Sequence, residues 1–370
     1  MNPIQKYLNH LFAKKRVMGE SKELKGMALA DDLLLGLVNE KRVPGLAITV
    51  LKKGQVFYQK GYGHAEMETK VRVDPKYSVF RIASVSKPIS ATALGVMVED
   101  GIIDLDASFY DYVPYYPRKK WDFTIRQLAG HTAGIRGYQG MEYGLDQAYS
   151  IKEGTVLFEN DDLLFEPGTG YLYNSFDWVL VSLAMQEASG MAFETYVEER
   201  VLKPLGMRHT FAPNRENSID RYFEEAKREQ PKLNRTHYYS KNRSGFRDAL
   251  RVNNHYKLAG GGYLSTSADI ARLGQAYLEG SILSKNTRGQ FLSAQSVNGK
   301  STYYGLGWEV SIDAKGRPYY GHVGNGVGGY SNFYVYPDQG MVFSILINCT
   351  DPKVQDELNA VVDALIMATD

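Results

Sequence analysis

The sequence predicts an α+β protein. An antiparallel sheet is built from the N- and C-terminal segments and flanked by helices, with an inserted, mostly helical domain. Three observations predict it. Strand-like patterns occur early, at residues 46–62, and return late, at 305–348. Helical patterns separated by Gly and Pro clusters fill the interval. A final apolar-periodic run, Val354–Ala368, closes the chain as a helix. The domains expected are an N-terminal arm or helix at 1–27, a sheet domain at 28–101 plus 285–370, and a helical insertion at 102–284.

In the arm, Ile4, Tyr7, Leu8, Leu11 and Phe12 fall at helical spacing beside Lys6, Lys14, Lys15 and Arg16. This reads as a short helix packed on the body or as a membrane-surface or targeting helix. Met27–Val38 is an amphipathic helix. After Pro44-Gly45, Leu46–Leu51 and Gln55–Tyr62 form a hairpin through Lys52-Lys53-Gly54. Ser84–Glu99 is a helix closed by Gly101. Helices are also expected at Asp122–Ala129, Tyr173–Ser189, Phe193–Val201 and Ser267–Leu278. Residues 212–256 are polar, basic and Tyr-rich, a solvated loop or a flap over a site. Gly305–Val310, Tyr319–His322, Tyr330–Tyr336 and Met341–Asn348 read as strands. Their turns fall at Gly316, Gly324–Gly329 and Asp338–Gly340.

Composition narrows the function. The chain has 370 residues, of which 44% are hydrophobic, enough for a sizeable core. Lys and Arg number 43 against 42 acids, a net charge of +1, which argues against a nucleic-acid partner. The single cysteine, Cys349, excludes an intramolecular disulfide and a Cys-based metal cage. It reads as a small buried hydrophobe at the end of a late strand. Neither cofactor nor metal is expected. No apolar run approaches about 20 residues, so no integral membrane segment is expected. With no leader pattern, the chain as written reads as cytoplasmic; the alternative is a periplasmic or secreted protein whose leader has been removed. Tyr is abundant, at 27 against 15 Phe and 3 Trp, and suits a groove with polar edges. The expected partner is a small-molecule or peptide substrate, and homo-oligomer formation stays open.

Several chemistries leave no motif: there is no G-x-S-x-G, H-E-x-x-H or P-loop, and no G-x-G-x-x-G between a strand and a helix. Ser84-Val85-Ser86-Lys87 is the only S-x-x-K. It lies where a strand-like run, Val79–Ala83, gives way to a helix, so Ser84 and Lys87 share one helix face. The helix dipole there favours an alkoxide and disfavours an ammonium. The plainer alternative is a Ser N-cap with an exposed Lys. Pro167–Ser175, PGTGYLYNS, delivers Tyr173 to a helix start, where its hydroxyl could relay protons or simply pack. Gly321–Gly326, GHVGNG, ends a late strand with His322 and with glycines that allow close backbone approach.

Together these segments resemble the serine beta-lactamase-like family of class C beta-lactamases, D-Ala-D-Ala carboxypeptidases, esterases, D-aminopeptidases and LACTB-type proteins. FRIASVSKPISA resembles the nucleophile helix, FEPGTGYLYNS the PG…Y-x-N loop, and GHVGN the K-T-G or H-x-G box. IRQLAGHTAGI, ETYVEERVLKPLGMRHT and AGGGYLSTSADIARLGQAYL are weaker matches between them. The resemblance spans residues 28–350 and implies a beta-lactamase/transpeptidase-like fold. It implies Ser84 as an acylated nucleophile and Lys87 with Tyr173 as shared base and acid. It also implies an oxyanion hole from the Ser84 and Asn325 N–H groups, with Gly324 allowing the approach, and a structural His131. In two places the sequence departs from the pattern. Ser175 stands where the family has Asn, and His322 where many members have Lys. These changes point to a serine hydrolase of esterase or peptidase type and a weak beta-lactamase at most. The alternative is a catalytically weak penicillin-binding-like scaffold. Tyr138, Tyr143, Tyr238, Tyr239, Tyr303, Tyr304 and Tyr330 fall in loops that would face the cleft, which would suit an uncharged or aromatic-flanked substrate.

Overall fold

Alternating residues of one strand, β1 (Gly45–Lys52), feed two separate cores. Leu46, Ile48 and Val50 point to one side, Ala47 and Leu51 to the other. All but its last residue are buried, as expected for a strand with both faces covered. In the computed structural model, which describes residues 24–213 and 233–369, this strand lies inside a seven-stranded antiparallel sheet. Residues 1–23 of the expected arm or helix at 1–27, and residues 214–232 of the Tyr-rich segment, lie outside the described residues.

The other strands are β2 (Gln55–Glu66), β3 (Val71–Arg72), β4 (Glu309–Ile312), β5 (Pro318–Gly326), β6 (Gly329–Tyr336) and β7 (Met341–Ile347). Their order is β4-β5-β6-β7-β1-β2-β3, so the late strands join the early ones between β7 and β1. Leu46 pairs with Ile347 at that seam. The expected sheet built from both ends of the chain is therefore observed, with helices between.

Helices α1 (Gly26–Asn39) and α5 (Gln355–Met367) cover one face, burying Ala30, Leu34, Leu358, Val361 and Leu365. Two helices stand across the other face, α2 (Ser86–Glu99) and α4 (Ser267–Glu279), and α3 (Phe176–Ser189) packs behind α2. Helices α2 and α3 are buried all round over most of their length, every residue of Ser86–Met97 and Phe176–Met185 being covered. Fully burying one such aliphatic side chain is worth about 1.5–3 kcal/mol. The Ser84-bearing end of α2 is thus anchored by the central core.

Some boundaries differ from expectation. Gly305–Gly307 does not join β4, because Gly307 takes φ 79° and a Cβ there would press on Trp178 and Ala91. Conversely, Gly324 and Gly326 extend β5 instead of turning. The reason is close approach: a Cβ on Gly324 would collide with Ser331 Oγ and the Ile82 carbonyl. Helix α4 lies within the span assigned to the insertion, yet it packs on β1, β6 and β7 of the sheet. The described part of the Tyr-rich segment forms a small sheet, Tyr239–Asn242 with Gly245–Asp248, paired to Cys349–Thr350. Cys349 is buried.

Gly274 tests the contact between α4 and the sheet. An added Cβ would stand 2.9 Å from Phe333 Cε2 and 3.0 Å from Val335 Cγ2. Gly274→Val is expected to lower stability by about 1–3 kcal/mol through overpacking, read as a lower urea midpoint at unchanged slope. An unshifted midpoint would contradict the packing described.

Candidate active site

The nucleophile position is made by a sharp change of backbone direction. Strand residues Ser78–Arg81 lead into Ala83, which takes φ 45°, and a 3-10 turn at Ala83–Val85 precedes α2. A left-handed conformation at a non-glycine residue costs about 1–2 kcal/mol, so the surrounding packing must impose it. It leaves Ser84 half-buried at the head of α2.

One turn on, Lys87 is completely buried. Its Nζ lies 3.2 Å from Ser84 Oγ, 2.8 Å from Tyr173 Oη and 2.8 Å from the Gly260 carbonyl. Tyr173 Oη lies 2.8 Å from Ser84 Oγ, which closes a triangle. Among the described residues no carboxylate stands within ion-pair distance of Lys87. Burial pulls its ammonium down to about 7, against a weaker opposing pull from Asp177 and Glu309. The amine is therefore substantially neutral near pH 7, with two N–H donors and one lone pair. The Gly260 carbonyl takes one donor, leaving the lone pair for the Ser84–Tyr173 side. Tyr173 as a residue is 39% exposed, but burial of its hydroxyl drives that group's pKa upward. Tyr173 thus stays protonated and can pass protons without becoming a tyrosinate.

Ser175 is the N-cap of α3. It does not reach Lys87; the carbonyl of Gly260 supplies Lys87's further partner, and Ser175 interacts with the Tyr138 hydroxyl instead. Asn174 turns inward, donating to Asp177 at 2.6 Å, and Asp177 meets His131 Nδ1 at 2.7 Å. All three are buried, and the His131 ring lies tilted against that of Tyr173, with centroids 4.7 Å apart. This assembly props Tyr173 from behind, away from the cleft.

Strand β5 supplies the opposite wall. Beyond Gly321 it has no pairing with β4. The Val323 N–H donates to Glu309 Oε1 at 3.2 Å, across that open edge. Strand geometry repeats every two residues, so the Asn325 N–H faces the same way. A Cβ on Gly324 would come within 3.1 Å of the Ser84 nitrogen, so only glycine lets the strand lie this close. The N–H groups of Ser84 and Asn325 are thereby brought to one small region.

His322 is buried and held on both nitrogens. Nδ1 meets the Val323 carbonyl at 2.7 Å and Nε2 meets Tyr304 Oη at 2.9 Å. A carbonyl only accepts, so Nδ1 carries the hydrogen and Nε2 accepts from Tyr304. Burial and the nearby Lys87 push the imidazolium down to about 3, which keeps the ring neutral. It offers a substrate neither charge nor a spare N–H.

A cavity of about 400 Å³ adjoins these groups, lined by Ser84, Tyr173, Glu309, His322 and Asn325 among others. Tyr303 and Tyr304 line it as expected. Tyr239 and Tyr330 do not: they lie in strands, with their hydroxyls on Glu68 and Gln355. Tyr238 lines a separate cavity with Arg81. Sequence reasoning missed Gly260, Tyr171 and Glu309. The last leaves no motif signal beyond standing five residues after Tyr304, to which a bridge pairs it. Among the described residues no cluster of His, Cys, Asp or Glu could hold a metal ion.

The sequence profile of the Beta-lactamase family matches residues 30–368. The chain belongs to the Beta-lactamase family. As a member it is a serine hydrolase in the general sense. Among its relatives are the human serine beta-lactamase-like protein LACTB, mitochondrial, 26% identical over 83% of this chain and 71% of that one. Another is penicillin-binding protein 4* of Bacillus subtilis, 26% identical over 82% and 67%. Solved structures share the fold. D-amino acid amidase of Ochrobactrum anthropi SV3, complexed with L-phenylalanine, aligns with TM-score 0.77 at 18% identity over 92% and 99% of the two chains. A D-stereospecific amidohydrolase from Streptomyces sp. gives 0.73 at 23% over 90% and 97%. Among the described residues no helix is long and apolar enough to cross a membrane.

Lys87 accepts a proton only as the free amine, so nucleophilic reactivity should be lost below about pH 7 and gained above it. Labelling of Ser84 by a fluorophosphonate, followed by mass spectrometry, is expected to rise through an inflection near 7. A flat profile between about pH 5 and pH 9 would count against Lys87 as the acceptor.

Proposed function

We propose that this Beta-lactamase-family chain is an esterase- or peptidase-like hydrolase that forms an acyl-enzyme on Ser84. The observation that carries the reading is the triangle of Ser84, Lys87 and Tyr173, with contacts of 2.8–3.2 Å around a completely buried lysine. In the forward step Ser84 Oγ attacks the carbonyl carbon of an ester or amide. Its proton moves to Lys87 Nζ, directly or through the Tyr173 hydroxyl. The N–H groups of Ser84 and Asn325 receive the developing oxyanion; removing one such donor typically costs about 10²–10³ in rate. Tyr173, recharged by the Lys87 ammonium, then protonates the leaving group. Water repeats the sequence to release the acid and restore Ser84.

The site's charge supports the narrower choice of substrate. A neutral His322 and a short Ser175 replace groups that would engage a carboxylate and an amide, so beta-lactams should be poor substrates. Solved structures that share the fold include a D-amino acid amidase and EstCE1, a hydrolase with promiscuous acyltransferase activity, so amides are tested beside esters.

A panel of short-chain p-nitrophenyl esters, nitrocefin and D-amino-acid amides tests the reading. Wild type should turn over the esters, and Ser84→Ala should abolish that turnover. Tyr173→Phe should lower kcat by about 10²–10⁴, because the proton route is cut. Ester hydrolysis surviving Ser84→Ala would sink the proposal. Nitrocefin turned over faster than every ester would overturn the assignment of His322.

A further inference from the structure

We propose that the cavity beside Ser84 receives a cationic part of the substrate, an ammonium or quaternary ammonium, held between the Glu309 carboxylate and a ring of tyrosines. The proposal rests on the hydrolytic reading above and adds a substrate class to it. The lining contains Tyr171, Tyr173, Tyr303, Tyr304 and Tyr319 around one carboxylate. Neighbouring rings lie in contact along this wall: Tyr171 meets Tyr304 at 6.4 Å, tilted, and Tyr173 meets it at 5.8 Å, edge-on. A cation within about 6 Å of a tyrosine face is attracted by the ring quadrupole, more so once desolvated.

Glu309 has half of its hydrogen-bonding capacity to spare. Oε1 accepts from the Val323 N–H and lies 3.6 Å from His322 Nδ1. Among the described residues Oε2 has no hydrogen-bond partner. No Lys or Arg of those residues pairs with this carboxylate. His322 is held neutral, and Lys87 is committed to Ser84, Tyr173 and Gly260. Burial lifts the Glu309 carboxyl to about 7 against the opposing pull of the Val323 N–H and of Lys87, and a bound cation would add a countercharge in direct contact. The same carboxylate would repel a substrate carboxylate. The tyrosine-lined groove therefore suits a cation better than the uncharged group its composition suggested.

Two isosteric pairs test this. Acetylcholine against 3,3-dimethylbutyl acetate places the charge in the leaving alcohol. The p-nitrophenyl esters of 4-(trimethylammonio)butanoate and 5,5-dimethylhexanoate place it in the acyl part. Wild type should favour the cationic member of at least one pair by about tenfold or more in kcat/KM. Glu309→Gln, which keeps an oxygen for the Val323 N–H, should bring that ratio towards one. Tyr303→Ala, on a residue 62% exposed and outside the core, should lower it part-way. Each ratio is taken within one protein, so a general loss of rate cancels. Equal turnover in both pairs, or a preference kept by Glu309→Gln, would overturn the proposal. If no ester is turned over and the fluorophosphonate fails to label, the hydrolytic reading falls, and the cavity is judged by binding alone. Tetramethylammonium should then quench tyrosine fluorescence saturably in wild type and not in Glu309→Gln; absence of binding to wild type would overturn it.

Discussion

A buried lysine that, among the described residues, has no carboxylate in contact is the constraint on which the rest of this structure depends. Lys87 can be held in the core only if its ammonium is destabilised, its polar atoms are satisfied and its surroundings cannot relax around it. Each condition is met by a different part of the fold. Helix α2 is packed along its whole first three turns, so the stem cannot swing out. The Gly260 carbonyl and the Tyr173 hydroxyl supply partners that carry no formal charge. Had the Gly260 carbonyl been a carboxylate, the lysine would have stayed an ammonium and lost its lone pair.

The same logic explains the residues that stand behind the site. His131, Asn174 and Asp177 form a buried polar cluster under Tyr173, and His322 with Tyr304 forms a second beside it. Neither presents a charge to the cleft. They fix aromatic rings whose hydroxyls must point in one direction, and they do so with hydrogen bonds whose geometry a purely apolar contact would not specify. Glu309 is the exception, the one carboxylate among the described residues that lines the cavity beside the nucleophile.

Glycine does the complementary work on the backbone. Gly324 lets β5 run against residues 82–84, and the left-handed Ala83 turns the chain so that Ser84 meets that strand. The strain at Ala83 and the missing side chain at Gly324 have one result: segments from distant parts of the chain, at Ser84 and at Gly324, lie against each other. The open edge of β5 beyond Gly321 leaves that junction accessible.

The sequence by itself determined the strands at both ends, the helices between them and the three short segments that bear Ser84, Tyr173 and Asn325. Those features are local: apolar periodicity, Gly and Pro punctuation and motif spacing are all written in neighbouring residues. Tertiary structure alone decided which face α4 covers, that Gly324 extends a strand, and that Tyr239 and Tyr330 serve packing. It also decided that Ser175 leaves Lys87 to Gly260, and that Glu309 joins the cleft. Each depends on groups far apart in the chain meeting within a few ångströms, and no local pattern records such a meeting. The protonation states of Lys87, His322 and Glu309 belong to the same class, because burial sets them and burial is a property of the whole fold.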